Sequence, residues 1–219
     1  MFGFLKHKKA ARTAPDNTLH SLNKQAEKPQ ETEDAKEMEN RNDYYEITIA
    51  GCKRLLKKYP VNEKLDIAAF ILFGDVEITE KSAAALLAKS PEFDLILTPE
   101  AKSIPLAYEM SRQSGKKYIV ARKGLKVYMG NALSVDDQSI TTQGLQKLYL
   151  GEDDAAEMKG KRVLVLDDVI STGGSLHAAV ALAEQAGAEI VAQGAVLAEG
   201  DASQRDDIIF LEALPLFFK

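Results

Sequence analysis

The chain has 219 residues, of which 45% are hydrophobic and 28% are charged, and its formal net charge is −5. Such a mildly acidic chain is unsuited to general nucleic-acid binding, which needs clustered Lys and Arg side chains to contact phosphates. The single cysteine excludes an intramolecular disulfide, three scattered histidines give no zinc site, and no apolar run is long enough to span a membrane.

Residues 1–42 differ from the rest of the chain, because they are polar, rich in Lys, Glu, Gln and Asn, and without sustained periodicity. Such a segment cannot bury enough apolar surface to offset the entropy lost on ordering, so we predict a disordered or loosely ordered tail. No signal peptide is visible in it, and we expect a cytoplasmic protein. We place the folded domain at residues 43–219.

The first part of this domain contains short apolar runs. The segment YYEITIAG at 44–51 is β-like, whereas CKRLLKKYPV at 52–61 suits a strand or a helix equally. The apolar run at 67–79 is broken at Gly74 and Asp75. An Ala- and Leu-rich segment then predicts a helix at 80–89.

The later segments alternate between apolar strands and helices, and a strand pair is expected around the polar segment 131–143 and LQKLYL. Continuously apolar strands that alternate with helices indicate an α/β fold, in which a parallel sheet is covered on both faces. The strands are predicted at 93–98, 117–123, 162–166, 188–200 and 207–214, and the helices at 103–114 and 174–186.

The stretch VLVLDDVISTGGS at 163–175 joins an apolar strand to a helix through two acids and a Ser/Thr/Gly loop. In an open α/β sheet, ligands bind beyond the carboxyl ends of the strands, where Asp167 and Asp168 are expected. Gly173 and Gly174 let the backbone approach a ligand, and the helix start directs free N–H groups there, which predicts a phosphate site. Carboxylates repel phosphate but accept strongly from hydroxyl groups, so the acids suit the sugar of a ribose 5-phosphate.

At these residues the chain resembles the type I phosphoribosyltransferases. Their signature for phosphoribosyl pyrophosphate (PRPP) is an apolar strand, two acids, three variable positions and T-G-G-S/T. The resemblance implies a parallel twisted sheet flanked by helices, with a small variable hood that we expect at about 44–79 and 208–219. It also implies that Asp167 and Asp168 bind the ribose 2′- and 3′-hydroxyls. The 5-phosphate would be bound by Ser171, Thr172, Gly173, Gly174 and Ser175.

A second loop at the start of a helix, TPEAKSIPLAYEM at 98–110, resembles the pyrophosphate-binding loop of the adenine enzymes, whose pattern is E-A-R-G. Glu100 and Ala101 match this pattern. Lys102 replaces the arginine, which keeps the charge but loses the bidentate fork, and Ser103 replaces the glycine. The resemblance implies that residues 100–102 bind the pyrophosphate group of PRPP.

Basic residues follow the next predicted strand, in the segment VARKGLKVYMG. In the families that this chain resembles, such basic residues face the pyrophosphate. The resemblance therefore implies this role for Arg122 and Lys123, with Lys126 as a further candidate. The family also implies Mg²⁺. We expect the ion to be held through PRPP, near Asp167 and Asp168, without an assigned protein ligand.

Family members close a flexible loop over the reacting centre, and its place here is about 133–144. Closure would exclude water that competes as nucleophile. The adenine enzymes often carry a glutamate in this loop, whereas this chain has Asp136 and Asp137. The implied reaction displaces pyrophosphate from the anomeric carbon through an oxocarbenium-like transition state, whose charge Asp167 and Asp168 would favour as catalytic groups.

The accepted base is expected to be adenine or another purine, because FILFGDVEIT loosely resembles the segment near the base in adenine enzymes. Stacking on the base could come from Phe70, Phe73, Phe217 or Phe218. An orotate or other pyrimidine enzyme is the alternative, with CKRLLKK supplying a basic group for an anionic base. A non-catalytic regulator that senses PRPP is a second alternative. The resemblance further implies a homodimer, with PRPP and a nucleobase as the ligands.

Overall fold

A computed structural model describes residues 43–137 and 146–219, so the predicted tail at 1–42 lies outside the described residues. The strands are β1 (Tyr44–Ile49), β2 (Cys52–Asn62), β3 (Leu65–Ala68), β4 (Leu95–Pro99), β5 (Lys117–Ala121), β6 (Leu133–Asp137), β7 (Gln146–Leu150), β8 (Arg162–Ile170), β9 (Glu189–Glu199), β10 (Glu212–Leu214) and β11 (Phe217–Phe218). The helices are α1 (Val76–Lys89), α2 (Ile104–Ser114), α3 (Glu152–Met158) and α4 (Gly174–Gln185), with a short 3₁₀ helix at Gly200–Gln204.

The central sheet has five strands in the order β10-β9-β8-β4-β5, and every neighbouring pair is parallel. One face packs on α1 and α2, in a cluster that includes Ile96 and Leu164. The opposite face packs on α3 and α4, in a cluster that includes Leu97 and Val165. Adjacent residues of β4 and β8 thus enter opposite clusters, which explains why these strands are continuously apolar. The predicted parallel α/β fold is confirmed.

A smaller antiparallel sheet, called here the outer sheet, contains β1, β2, β3 and β11 in that order. The segment at 52–61 is therefore a strand, which settles the choice that its sequence left open. At the end of the chain, Phe217 and Phe218 pair with Asp66 and Leu65 of β3. This pairing joins the two segments predicted to form the hood into one sheet.

The first helix and the last predicted strand differ from their predicted boundaries. The first helix begins at Val76 rather than at residue 80, because the Asp75 side chain accepts a hydrogen bond from the backbone N–H of Ile78 and caps the helix. Arg54 holds that carboxylate from β2, with its Nε 2.6 Å from Asp75 Oδ2. The single strand predicted at 207–214 is interrupted, with a lone bridge at Ile209 and strand β10 only from residue 212.

The antiparallel pair β6–β7 occupies the place of the predicted strand pair. Its intervening residues, 138–145, lie outside the described residues, and with them most of the predicted flexible loop. Within the two described ranges, no helix combines the length and the apolar character needed to cross a bilayer.

Candidate active site

A cavity of about 430 Å³ lies at the carboxyl ends of β4, β8 and β9. This is the edge of a parallel sheet at which ligands bind, and the volume is typical of small-molecule sites. Two segments singled out in the sequence line the cavity, at 99–102 and 167–176. The rest of the lining comes from residues 67–71, at the end of β3 and directly after it, and from Lys123, Glu199 and Leu214. The fold therefore brings the predicted sugar, phosphate and pyrophosphate segments together at one cavity.

The two acids lie within β8, which continues past Leu166 to Ile170 and is longer than predicted. Asp168 is only 3% exposed, and Lys102 Nζ lies 2.9 Å from its Oδ2 as an ion pair. No described residue gives this oxygen a hydrogen bond of good geometry. A buried carboxylate with spare accepting capacity suits a ligand that donates hydrogen bonds.

Asp167 lies beside Asp168 at the base of the cavity and accepts a hydrogen bond from the Asp168 backbone N–H at 2.8 Å. Burial raises the pKa of the Asp167 carboxyl well above its usual range, and the negative charge of Asp168 raises it further. The site thus holds two close acids at an electrostatic cost. Such a cost is typical of a functional site rather than of a packing arrangement.

The loop that follows the acids requires glycine at residue 173. Gly173 has φ +80°, a left-handed conformation that residues with a side chain rarely adopt. A Cβ at this residue would lie 3.2 Å from Arg205 Nη1. Helix α4 begins at Gly174, and no described side chain caps it. A helix start of this kind, at the edge of the cavity, suits an anion.

Buried hydroxyl groups attach the second loop to the strand that carries the acids. Thr98 Oγ1 lies 2.7 Å from Ser103 Oγ and 2.8 Å from the carbonyl oxygen of Leu166, and Ser103 Oγ donates to the carbonyl of Pro99. Ser103 has φ −83°, which any residue adopts, so the glycine of the E-A-R-G pattern is not needed here. Instead, the serine hydroxyl anchors the loop.

Glu100 connects this loop to the end of β5. Its Oε2 accepts from the backbone N–H of Lys123 at 2.9 Å and from Arg122 Nε at 3.2 Å. The hydrogen bond from Lys123 and the positive charge of Arg122 hold the pKa of the Glu100 carboxyl below its usual value. Lys123 lines the cavity beside Lys102, whereas Arg122 contacts Glu100 and Lys126 is not part of the lining.

The apolar part of the cavity lies against the outer sheet and includes Phe70. The other predicted stacking residues are not in the lining. Phe217 packs edge-to-face on Tyr45 at 5.2 Å, and Phe73 and Phe218 are exposed. In the segment predicted as the flexible loop, Asp136 Oδ1 forms an exposed ion pair with Lys147 Nζ on the neighbouring strand, at 3.5 Å.

Two polar residues near the cavity were not predicted from the sequence. Glu199 ends β9 and lines the cavity, and its place at the carboxyl end of a predicted strand was an available signal. Arg205 lies beside Gly173 and is held by Asp207 through two hydrogen bonds of 2.8 and 2.7 Å. Nothing in the surrounding sequence distinguishes this arginine from a surface residue.

Comparison with known proteins agrees with this geometry. The sequence model of the family described as phosphoribosyl transferase domain matches residues 76–213. Adenine phosphoribosyltransferase of Thermotoga petrophila is 34% identical over 105 residues, which cover 48% of this chain and 59% of that protein. Hypoxanthine/guanine phosphoribosyltransferase of Methanococcus voltae is 37% identical over 112 residues, with coverage of 51% and 56%. The chain thus spans little more than half the length of these two relatives.

Solved structures show the same fold at low sequence identity. Adenine phosphoribosyltransferase from Saccharomyces cerevisiae superposes with a TM-score of 0.58 at 19% identity, over 80% of this chain and 96% of that one. The enzyme from Thermoanaerobacter pseudethanolicus gives a TM-score of 0.55 at 22% identity, over 80% and 98%. The family resemblance inferred from residues 163–175 is confirmed, and the chain belongs to the phosphoribosyl transferase domain family, with the type I fold.

Proposed function

We propose that the protein transfers the 5-phosphoribosyl group of PRPP to a purine and releases pyrophosphate. One observation carries this proposal: Asp167, Asp168 and the loops at 99–102 and 171–175 line a single cavity. A sugar diol, a phosphate and a pyrophosphate on one ligand require these three features side by side. The relatives named as adenine and hypoxanthine/guanine enzymes both act on purines, which supports a purine as acceptor.

In this proposal the acids accept hydrogen bonds from the ribose 2′- and 3′-hydroxyls. The free accepting capacity of Asp168 Oδ2 supports this role. The 5-phosphate lies at the start of α4, where N–H groups and the helix dipole favour an anion. Its binding residues are Ser171, Thr172, Gly173, Gly174 and Ser175.

The pyrophosphate group is bound by residues 100–102 and by the basic residues after β5. Lys102 pairs with Asp168, and its half-exposed side chain can turn from that carboxylate to the pyrophosphate. Lys123 faces the same cavity, and Glu100 positions it through the backbone hydrogen bond. Arg122 and Lys126 add positive charge nearby.

The reaction forms a bond between a purine nitrogen and the anomeric carbon and breaks the bond from that carbon to a pyrophosphate oxygen. The purine loses the proton from the attacking nitrogen, and an oxygen of the leaving pyrophosphate can accept it. Positive charge develops on the ribose ring in the transition state, and the carboxylates of Asp167 and Asp168 stabilise it. Lys102 and Lys123 stabilise the negative charge that accumulates on the leaving pyrophosphate.

We also propose Mg²⁺ as cofactor. The oxygens of two adjacent carboxylates are ligands that this hard cation prefers, and the half-exposed Lys102 is the ion-pair partner that now neutralises the buried Asp168. When bound, the ion would neutralise negative charge on the pyrophosphate.

We also propose that the protein assembles as a homodimer. The side chains of Leu125, Val127 and Tyr128 are apolar and exposed, and they offer a surface for this contact.

The proposal is tested by Mg²⁺-dependent release of pyrophosphate from PRPP. The bases would be adenine, hypoxanthine, guanine, xanthine, uracil and orotate, with Asp168→Asn as the inactive variant and exposed Asp206→Asn as its matched control. We expect turnover with a purine that Asp168→Asn abolishes and Asp206→Asn retains. Turnover with orotate alone would favour the pyrimidine alternative, and tight PRPP binding without turnover would favour a PRPP-sensing regulator.

A further inference from the structure

Glu199 occupies a place in the cavity that none of the roles assigned above uses. It is the last residue of β9, and on its other side it pairs with Leu214 of β10. Both residues line the cavity, together with the outer-sheet residues Ile67 and Phe70. The carboxyl group is therefore adjacent to the apolar part of the lining.

The other polar side chains of the lining are already assigned to PRPP. Glu100, Lys102 and Lys123 surround the proposed pyrophosphate position, and the remaining acids and hydroxyl residues lie along 167–175. The part of the cavity that is left for a base is lined by Ile67, Ala68, Ala69, Phe70, Ile71 and Leu214. An apolar pocket of this kind relies on a few polar groups to orient its ligand.

Within residues 43–137 and 146–219, no partner uses the hydrogen-bonding capacity of the Glu199 carboxyl. None of the hydrogen bonds or ion pairs among the described residues involves this side chain. Burial raises the pKa of the Glu199 carboxyl, and the positive charge of Lys102 partly offsets that rise. The carboxyl oxygens are therefore available to accept a hydrogen bond from a ligand.

We propose that Glu199 recognises the base by accepting a hydrogen bond from a donor on the ring edge of the purine. The inference rests on the proposed function and deepens it, because it names the group that recognises the base. The purines that relatives use each carry a hydrogen-bond donor beside an acceptor on the ring edge. A carboxyl oxygen at the wall of an otherwise apolar pocket can accept from that donor, and this contact orients the purine.

The test compares Glu199→Ala with Glu199→Gln, because glutamine keeps a hydrogen-bond acceptor on a side chain of the same size. Glu212→Gln is the matched control, since Glu212 is an exposed acid on the neighbouring strand. Steady-state kinetics would give KM for the purine and KM for PRPP separately, and calorimetry would give the Kd of PRPP with Mg²⁺. Thermal melting would show that each variant is folded.

We expect Glu199→Ala to raise KM for the purine about tenfold or more, as the loss of a hydrogen bond to the carboxyl group predicts, while KM and Kd for PRPP stay within twofold. Glu199→Gln and Glu212→Gln should stay close to the wild-type value. An unchanged KM for the purine in Glu199→Ala would overturn the inference. So would a loss of kcat at unchanged KM in both Glu199 variants, because that pattern indicates proton transfer. If the wild-type protein turns over no base, the proposed function itself fails.

Discussion

The hydroxyl cluster around Thr98 gives a prediction that links stability to PRPP binding. Thr98 is fully buried, and its Oγ1 lies within hydrogen-bond distance of Ser103 Oγ and of the Leu166 carbonyl. Thr98→Val keeps the volume and removes the hydroxyl, which leaves buried polar groups without a partner. Such a loss costs about 1–3 kcal/mol of folding free energy. For a domain of this size, it lowers Tm by roughly 2–12 °C.

The same substitution should weaken PRPP binding, because it removes contacts that position two parts of the site. Ser103 directly follows the loop at 99–102, and Leu166 directly precedes Asp167. We expect KM for PRPP to rise several-fold, whereas KM for the base should change little. Thr98→Ser is the matched control, since it keeps the hydroxyl and removes one methyl group, at a stability cost of about 1 kcal/mol. Urea unfolding and steady-state kinetics measure both effects. A Thr98→Val protein with wild-type PRPP affinity, or a Thr98→Ser protein that loses as much affinity, would refute the reasoning.

Three further predictions concern single residues of the cavity. Gly173→Ala should destabilise the fold by about 1–2 kcal/mol in urea unfolding, because φ is +80°, and should raise KM for PRPP because residue 173 lies in the proposed 5-phosphate loop. Asp167→Asn should abolish turnover and yet raise Tm at pH 7.5. Burial raises the pKa of Asp167 in the folded state above its unfolded value of about 3.9. The stability that the protonated group contributes is therefore fully present below about pH 3.9 and is lost as the pH rises through the pKa of the folded state, so the ionised group is a cost at pH 7.5. Glu100→Gln should raise KM for PRPP. Lys123 and Arg122 depress the pKa of Glu100 in the folded state. The stability that this carboxylate contributes is therefore present above about pH 4.3 and is lost on acidification. The glutamine variant should lack this part of the fall in Tm at low pH.

Matched variants separate these effects from general damage. Gly115→Ala places a side chain at φ +71° with no atom nearby, so it should lose stability while KM for PRPP is retained. Asp206→Asn removes an exposed acid and should change neither Tm nor turnover. An Asp167→Asn protein less stable than wild type at pH 7.5 would contradict the assignment of electrostatic cost to that carboxyl. A Glu100→Gln protein with unchanged acid sensitivity would contradict the role of Lys123.

The parallel sheet and the PRPP motif were predictable because each rests on a local pattern. The strands β4 and β8 are buried on both faces, so their apolar runs are continuous. Asp167 is conspicuous because it directly follows the apolar run 163–166 of β8. Where tertiary contacts decide, prediction from sequence was incomplete. The first helix starts early because Arg54, 21 residues before Asp75, fixes the capping carboxylate. Such a long-range partner leaves no periodic signal.

The pyrophosphate loop illustrates a substitution that only the structure explains. By pattern, Ser103 is a mismatch with the family glycine. In the fold it is a buried helix-start residue with ordinary backbone angles, bonded to Thr98 five residues earlier. Glu199 and Arg205 were missed for a related reason. Glu199 reaches the cavity because β9 lies next to β8 in the sheet, and Arg205 lies beside Gly173 because the turn at 200–204 returns the chain towards the loop at 171–175.

The central claim is that this cavity binds PRPP, and the most direct test is a crystal structure of the protein with PRPP and Mg²⁺. We expect the ribose 2′- and 3′-hydroxyls within about 2.5–3.0 Å of the Asp167 and Asp168 carboxylates, the 5-phosphate at 171–175 and the pyrophosphate at 100–102. Glu199 should face the space left for the base. PRPP bound outside this cavity, or with its 5-phosphate at 100–102, would contradict the account.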